Sequence, residues 1–172
     1  MTTDKPLDMK FAIGDKVVHP QHGVGFVAGL EEKQFEPTKA RMYYVVSIPD
    51  TTLWVPVDLP TSGLRKLGLK SDLEGCRQVL QEAPQALNAG RELLASLSAR
   101  IKGGTIIAQC EVVRDVTAFG WRKPLYGPLA DFQRMSLNVL CQEWAAVKGV
   151  SEAEASYEVN GLLKKGRAAQ QH

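Results

Sequence analysis

The sequence predicts an α+β protein, with a small, strongly twisted β-barrel at the N-terminus followed by an all-α bundle of about five helices. Three observations carry that prediction. Between Phe11 and Val57, apolar residues alternate at strand spacing and turn residues interrupt them at short intervals. Near residue 66 the period changes to that of amphipathic helices and stays there. The 172 residues, 44% apolar and 23% charged, suit one ordinary folded domain or two small ones.

The barrel opens on a hairpin. Gly14-Asp15 signals a turn, Val17 and Val18 close a first strand, and His19-Pro20-Gln21-His22-Gly23 makes a tight corner. Val24, Phe26 and Ala28 then alternate along a second strand. Pro20 fixes φ and removes a donor, while Gly23 and Gly25 permit positive φ or a close backbone approach. Glu31 to Arg41 reads as a charged loop containing Pro37. Met42, Tyr44, Val46 and Ile48 share one face of a third strand, Pro49-Asp50-Thr51 turns the chain, and Thr52 to Val57 forms a fourth. Pro56 cannot donate to a ladder, so this strand is expected at a sheet edge, at a bulge, or ending there. A free edge is a template for strand addition by another chain.

The helices follow from caps and apolar spacing. Ser71 as N-cap with Glu74 three residues on reads as a capping box, starting a helix to about Gln81 with Leu73, Cys76 and Leu80 on one face. Pro84 ends or restarts it. Leu87, Leu93, Leu94, Leu97 and Ile101 mark a second helix stopped by Gly103-Gly104. Thr105 to Phe119 makes a third, with Ile106, Ile107, Cys110 and Val113 inward, and Gly120 to Pro128 reads as a loop. Leu129 to Val147 is a long helix carrying Phe132, Met135, Val139, Leu140 and Trp144, broken by Gly149. Ser151 with Glu154 opens a last helix to about Lys165. Residues 1–9 read as frayed and those after about 166 as disordered. The expected division is 1–66 for the β domain and 67–172 for the helical one, joined near Leu64–Leu69.

Charge and chemistry narrow the function. The net charge of +2 is evenly split: residues 1–70 hold 9 Lys/Arg against 8 Asp/Glu, and residues 71–172 hold 12 against 11. A protein that binds DNA tightly on its own shows a more basic face than this, so any DNA contact is expected to be local and helped by a protein partner. The candidates for phosphate contact are Arg91, Arg100, Lys102, Arg114, Arg122 and Lys123, with Trp121 as a wedge or a tucked anchor. Arg114 is equally a candidate for structural pairs with Asp115 and Glu111. His19 and His22 lack Cys or carboxylate companions at metal-binding spacing, so they read as turn residues bonded to backbone, and no metal or cofactor is expected. Cys76, Cys110 and Cys141 fit buried, reduced thiols. No nucleophile motif, paired carboxylates or phosphate-binding glycine loop points to an enzyme. No apolar run approaches 18 residues, and a cytoplasmic setting is expected.

Ile13-Gly14-Asp15-Lys16-Val17-Val18-His19-Pro20-Gln21-His22-Gly23-Val24-Gly25, with Trp54-Val55-Pro56-Val57 and Gly63-Leu64-Arg65 downstream, resembles the opening of the CarD/CdnL family of bacterial transcription regulators. The RNA-polymerase-interacting domain of the transcription-repair coupling factor shares that stretch. Glu111-Val112-Val113-Arg114-Asp115 is similar to the E-V-V-R-D of the family's third helix. The resemblance implies a Tudor-like N-terminal domain that joins its sheet to a lobe of the RNA polymerase β subunit. It also implies a helical domain beside upstream promoter DNA, acting at initiation, and a monomer associated with the nucleoid through polymerase. The implied polymerase-binding residues are Lys33, Tyr43, Val45, Trp54 and Pro56, with strand pairing around Tyr43–Ile48 or Thr52–Val57. Lys33 and Trp54 stand where family members often carry basic residues; Lys33 keeps the charge and Trp54 does not. Family members also carry an N-W-x-x-R-Y-like stretch whose Trp wedges into the minor groove at the melted promoter. Here that region reads Ala86-Leu87-Asn88-Ala89-Gly90-Arg91, so Ala89 or Gly90 stands in the wedge position and cannot fill the space between bases. Two other readings remain: an adaptor or competitor that binds polymerase without touching DNA, and a small-ligand protein using the His19/His22 turn.

Overall fold

The structure, a computed structural model, describes residues 10–37, 39–58, 62–102 and 104–171. The expectation of frayed residues 1–9 lies outside them. Five strands, β1 (Lys16–His19), β2 (Gly23–Glu36), β3 (Lys39–Ile48), β4 (Thr51–Pro56) and β5 (Arg65–Lys66), form one antiparallel sheet in the order β4-β3-β2-β1-β5. A 3₁₀ turn at Lys70–Asp72 leads to five helices: α1 (Leu73–Gln81), α2 (Leu93–Lys102), α3 (Ile106–Arg122), α4 (Gly127–Lys148) and α5 (Glu152–Gln170). The class is α+β as expected, and the sheet is open, with β4 and β5 as its edges.

Each strand buries alternate residues, as the pleat requires. Val17, Val27, Tyr44, Val46, Val55 and Leu64 form the sheet core with Phe11, whose ring meets Tyr44 edge-on at 5.3 Å. Tyr44 and Val46 face inward as their spacing predicts. The alternation on β2 is the reverse of that expected: Gly25 and Val27 are buried, while Phe26 and Ala28 are exposed. Val27 opposes the core residue Val46, and the partner strand's pattern decides the face. The expected charged loop at Glu31–Arg41 is instead the far end of a long β2–β3 hairpin, with Glu31 opposite Tyr43 and Lys33 opposite Arg41. Its residues are exposed on both faces of the ribbon from Glu31 to Phe35, Lys33 being half-buried, so it carries no apolar alternation to read.

The helices enclose two cores. One joins α1, α3, α4 and α5 through Leu73, Cys76, Leu80, Cys110, Leu140, Trp144, Val159 and Leu163. The other joins α2, α3 and α4 through Leu97, Ile101, Val112, Val116 and Phe132. Because α3 serves both, it is buried on two sides. All three cysteines are buried, and desolvation together with the Cys76 thiol pushes Cys110 well above the usual thiol range. Ser151 caps α5 as expected, accepting from the Glu154 N–H at 3.1 Å, and Gly149 ends α4 in the left-handed conformation. The capping at Ser71 is not realised: the chain first makes a 3₁₀ turn, in which Asp72 accepts from the Leu69 N–H at 2.8 Å. Leu87, expected in the second helix, lies in an irregular stretch, and α2 begins only at Leu93. Two later boundaries also differ. Helix α3 continues through Gly120 and Trp121 to Arg122, because Leu125 packs against Gly120. Helix α5 runs to Gln170, past the expected disordered tail, with Gly166 seated against the backbone of Leu80 and Gln81.

Three polar contacts tie sheet to helices. Arg65 of β5 makes a two-pronged ion pair with Glu143 of α4, at 2.6 and 2.5 Å, and Glu143 also accepts the Gly68 N–H at 2.9 Å. Glu143 is 0% exposed, so the pair operates in a low dielectric where a lost partner is costly. The third contact is at the corner, where the Val24 N–H donates to Gln142 Oε1 at 3.3 Å. Gly23 has φ +87°, and a Cβ there would fall 1.8 Å from Gln142 Oε1. The glycine of the corner is therefore required by its backbone, and it leaves the space through which the Gln142 side chain reaches Val24.

Candidate functional site

Residues paired across antiparallel strands point to the same side of a sheet. Tyr43 opposes Pro56 and Val45 opposes Trp54, while Glu31 opposes Tyr43. Lys33, two residues beyond Glu31, points the same way. The five predicted polymerase-binding residues, Lys33, Tyr43, Val45, Trp54 and Pro56, thus share the outer face of the sheet, opposite the Val17/Tyr44/Val46 core. Sequence reasoning missed three other members of this face. Phe35 is 62% exposed and meets Tyr43 edge-on at 5.1 Å, Phe26 is 48% exposed, and Glu31 organises the centre.

That centre is a compact trio. Trp54 Nε1 donates to Glu31 Oε2 at 2.8 Å, Lys33 Nζ lies 3.7 Å from the same oxygen, and it stands 3.9 Å from the centre of the Trp54 ring. The positive charge absent from position 54 is therefore supplied above its ring by Lys33. Trp54 remains 38% exposed, presenting indole and cation together. The face is thus apolar and aromatic around one exposed Lys33–Glu31 ion pair.

The topology corrects one expectation. β3 is hydrogen-bonded to β2 on one side and β4 on the other, so the Tyr43–Ile48 segment has no edge to offer. The edge belongs to β4, within the predicted Thr52–Val57 segment, and Pro56 sits at its end without a donor to waste.

The helical candidates divide. Arg114 is not a surface charge: at 8% exposed, it donates from Nε to Asp115 at 2.9 Å and reaches Glu82 at 3.5 Å. Asp115 is 1% exposed and also accepts Arg100 at 2.9 Å and the Gln85 N–H at 2.9 Å. One carboxylate thereby binds α2, α3 and the segment after α1, and the E-V-V-R-D stretch is structural. Arg100 is half-buried and spent in the same network. Lys102, at the end of α2, stays exposed beside His19 and Gly63 of the sheet corner. Arg91 is exposed in the irregular stretch before α2.

Trp121, Arg122 and Lys123 come together with the segment that lacks the wedge. A cleft of about 750 Å³ runs between residues 83–89, the end of α3 and the end of α5. Trp121 is half-buried in it, with the Arg167 guanidinium 5.0 Å from its ring centre. A smaller cleft of about 290 Å³ lies on the other side of Ala89 and shares Phe119 and Lys123 with the first. Arg167 was not legible as a site residue, since it falls in the stretch expected to be disordered.

His19 behaves as a turn residue. Its Nδ1 accepts the Gln21 and His22 N–H groups at 3.1 and 3.3 Å. Burial, then His22 and Lys102, lower its pKa to about 4. Among the described residues no group of three or more His, Cys, Asp or Glu is arranged to hold a metal ion. No helix among them is long and apolar enough to cross a membrane.

Comparison with known proteins bears on the outer face. Residues 11–68, which contain the whole sheet, match the model of the CarD-like/TRCF RID domain. Over 148 residues, 84% of this chain and 96% of the relative, the sequence is 28% identical to the Bacillus subtilis (strain 168) protein named "Putative transcription factor YdeB".

Proposed function

We propose that this protein, whose residues 11–68 match the CarD-like/TRCF RID domain model, is a non-catalytic transcription regulator that docks on the polymerase β subunit through the outer face and free edge of its sheet. The observation that carries this reading is the convergence of Lys33, Tyr43, Val45, Trp54 and Pro56 on the outer face beside the unpaired edge of β4, with Trp54 exposed and Tyr43 itself buried beside Phe35. Strand addition at β4 would supply backbone hydrogen bonds, and the Trp54–Lys33–Glu31 trio the side-chain specificity. The full-length similarity to a protein named as a transcription factor supports regulation as the outcome. The setting is the cytoplasm, at the nucleoid. The helical part then stands near upstream promoter DNA, where tethering raises its effective concentration and makes weak contacts by Arg91, Lys102, Arg122 and Lys123 sufficient.

A second reading is favoured by a specific observation. Arg100 and Arg114 are bound to Asp115 and unavailable to phosphates, and Ala89 or Gly90 replaces the wedge. The protein then serves as an adaptor or competitor at the β subunit without gripping DNA.

The test measures binding to a purified polymerase β fragment and open-complex lifetime on one promoter, side by side. Trp54→Ala is expected to weaken docking tenfold or more. If Trp54→Ala and Phe35→Ala both bind as the wild type does, the docking face is wrong. Docking with an unchanged open-complex lifetime selects the adaptor reading.

A further inference from the structure

We propose that the cleft between residues 83–89 and the ends of α3 and α5 is a binding site for a nucleotide, with its base against Trp121 and its phosphate on Arg122, Lys123 and Arg167. The argument is one of charge and shape. Elsewhere in the helical part most arginines are matched to carboxylates, exposed Arg91 excepted: Arg77 with Glu74 and Glu158, Arg100 with Glu111 and Asp115, Arg114 with Glu82 and Asp115, Arg134 with Asp131. Around the cleft the pattern stops. Among the described residues, no carboxylate lies within ion-pairing distance of Arg122, Lys123 or Arg167. Asp115 alone brings negative charge to the lining, and it is already saturated by Arg100, Arg114 and the Gln85 N–H. Among the described residues, three cations therefore line a cavity with no carboxylate free to pair with them, which favours an anionic ligand.

The shape selects a planar one. Trp121 gives the cleft an aromatic surface, and the alanines at 83, 86 and 89 in its lining take up little of its space. At about 750 Å³ the cleft is of the size that encloses a small organic ligand rather than a bare ion. Arg167 already stands 5.0 Å from the Trp121 ring centre, so one ligand can meet aromatic surface and guanidinium together. A base bearing a phosphate is the common chemistry that uses all three features. Two sources supply it: a free mononucleotide, or an unpaired nucleotide within a single strand. The site stands on the helical part alone and does not depend on docking to polymerase.

The free protein tests this by titration with N-methylanthraniloyl-ATP, competed by unlabelled ATP, and in parallel with fluorescein-labelled single-stranded dT12. Saturable binding to at least one probe is expected, weakened tenfold or more by Arg167→Glu and lost in Trp121→Ala. Lys70→Glu, an exposed cation outside the cleft, should leave it unchanged. Arg167 is exposed, so its variant should melt like the wild type, which separates a lost site from a lost fold. Displacement by ATP identifies the free nucleotide as ligand, and binding to dT12 alone identifies the strand. Absence of saturable binding to both probes, or binding indifferent to Arg167→Glu, overturns the proposal. Neither result touches the reading of the sheet as the polymerase-docking face.

Discussion

The sheet and the helices treat their charged and aromatic residues in opposite ways. In the sheet, the predicted functional residues stand side by side on one open face, and the core lies wholly behind them. In the helical part, the predicted residues are sorted by packing: Arg114 and Arg100 are drawn into a buried network, while Arg122 and Lys123 are left at a cleft. The lesson is geometric. A strand has only two sides, so knowing one core residue assigns all its neighbours. A helix such as α3 can be buried on two sides at once, and then a charge on it belongs to the core or the surface according to partners far away in sequence.

The comparison breaks most severely where the two parts meet. Glu143→Ala would leave Arg65 and the Gly68 N–H without their partner in a dry interface, and a loss of about 3–5 kcal/mol is expected in urea unfolding. Next comes Asp115→Ala, which strands Arg114 and frees the Gln85 segment; about 3 kcal/mol is expected, with faster hydrogen exchange at the Gln85 amide. By contrast, Trp54→Ala on the open face should cost no more than about 0.5–1 kcal/mol of stability while weakening docking tenfold or more. A docking loss matched by an equal loss of fold would erase the distinction between the two regions.

The smallest effect is a pH response at the corner. The folded His19 pKa, about 4, lies below the ordinary 6.5, so the unfolded chain binds more protons between those values. Stability present above pH 6.5 should therefore decline as pH falls towards 4, read as a falling Tm. His19→Ala removes the acceptor for two backbone N–H groups and lowers the Tm at neutral pH, but it flattens that slope.

Much of the fold was legible because period and caps are local. The face of β3, the Leu73/Cys76/Leu80 stripe and the Ser151 cap all follow from neighbours within a few residues. What escaped depends on distant partners. Glu31 to Glu36 looked like a loop because that end of the hairpin has no core behind it. The burial of Arg114 depends on Glu82 and on a segment 30 residues away, and the Arg65–Glu143 pair spans 78 positions. Trp121 was placed in a loop because Gly120 looked like a breaker, yet glycine there makes room for Leu125.

The Arg65–Glu143 clamp and the Gln142 contact at the corner have a consequence for distance. They fix the sheet against α4, so that its outer face and the cleft are kept apart by a span this chain dictates. Substitutions at neither surface, but at the clamp, would change that span.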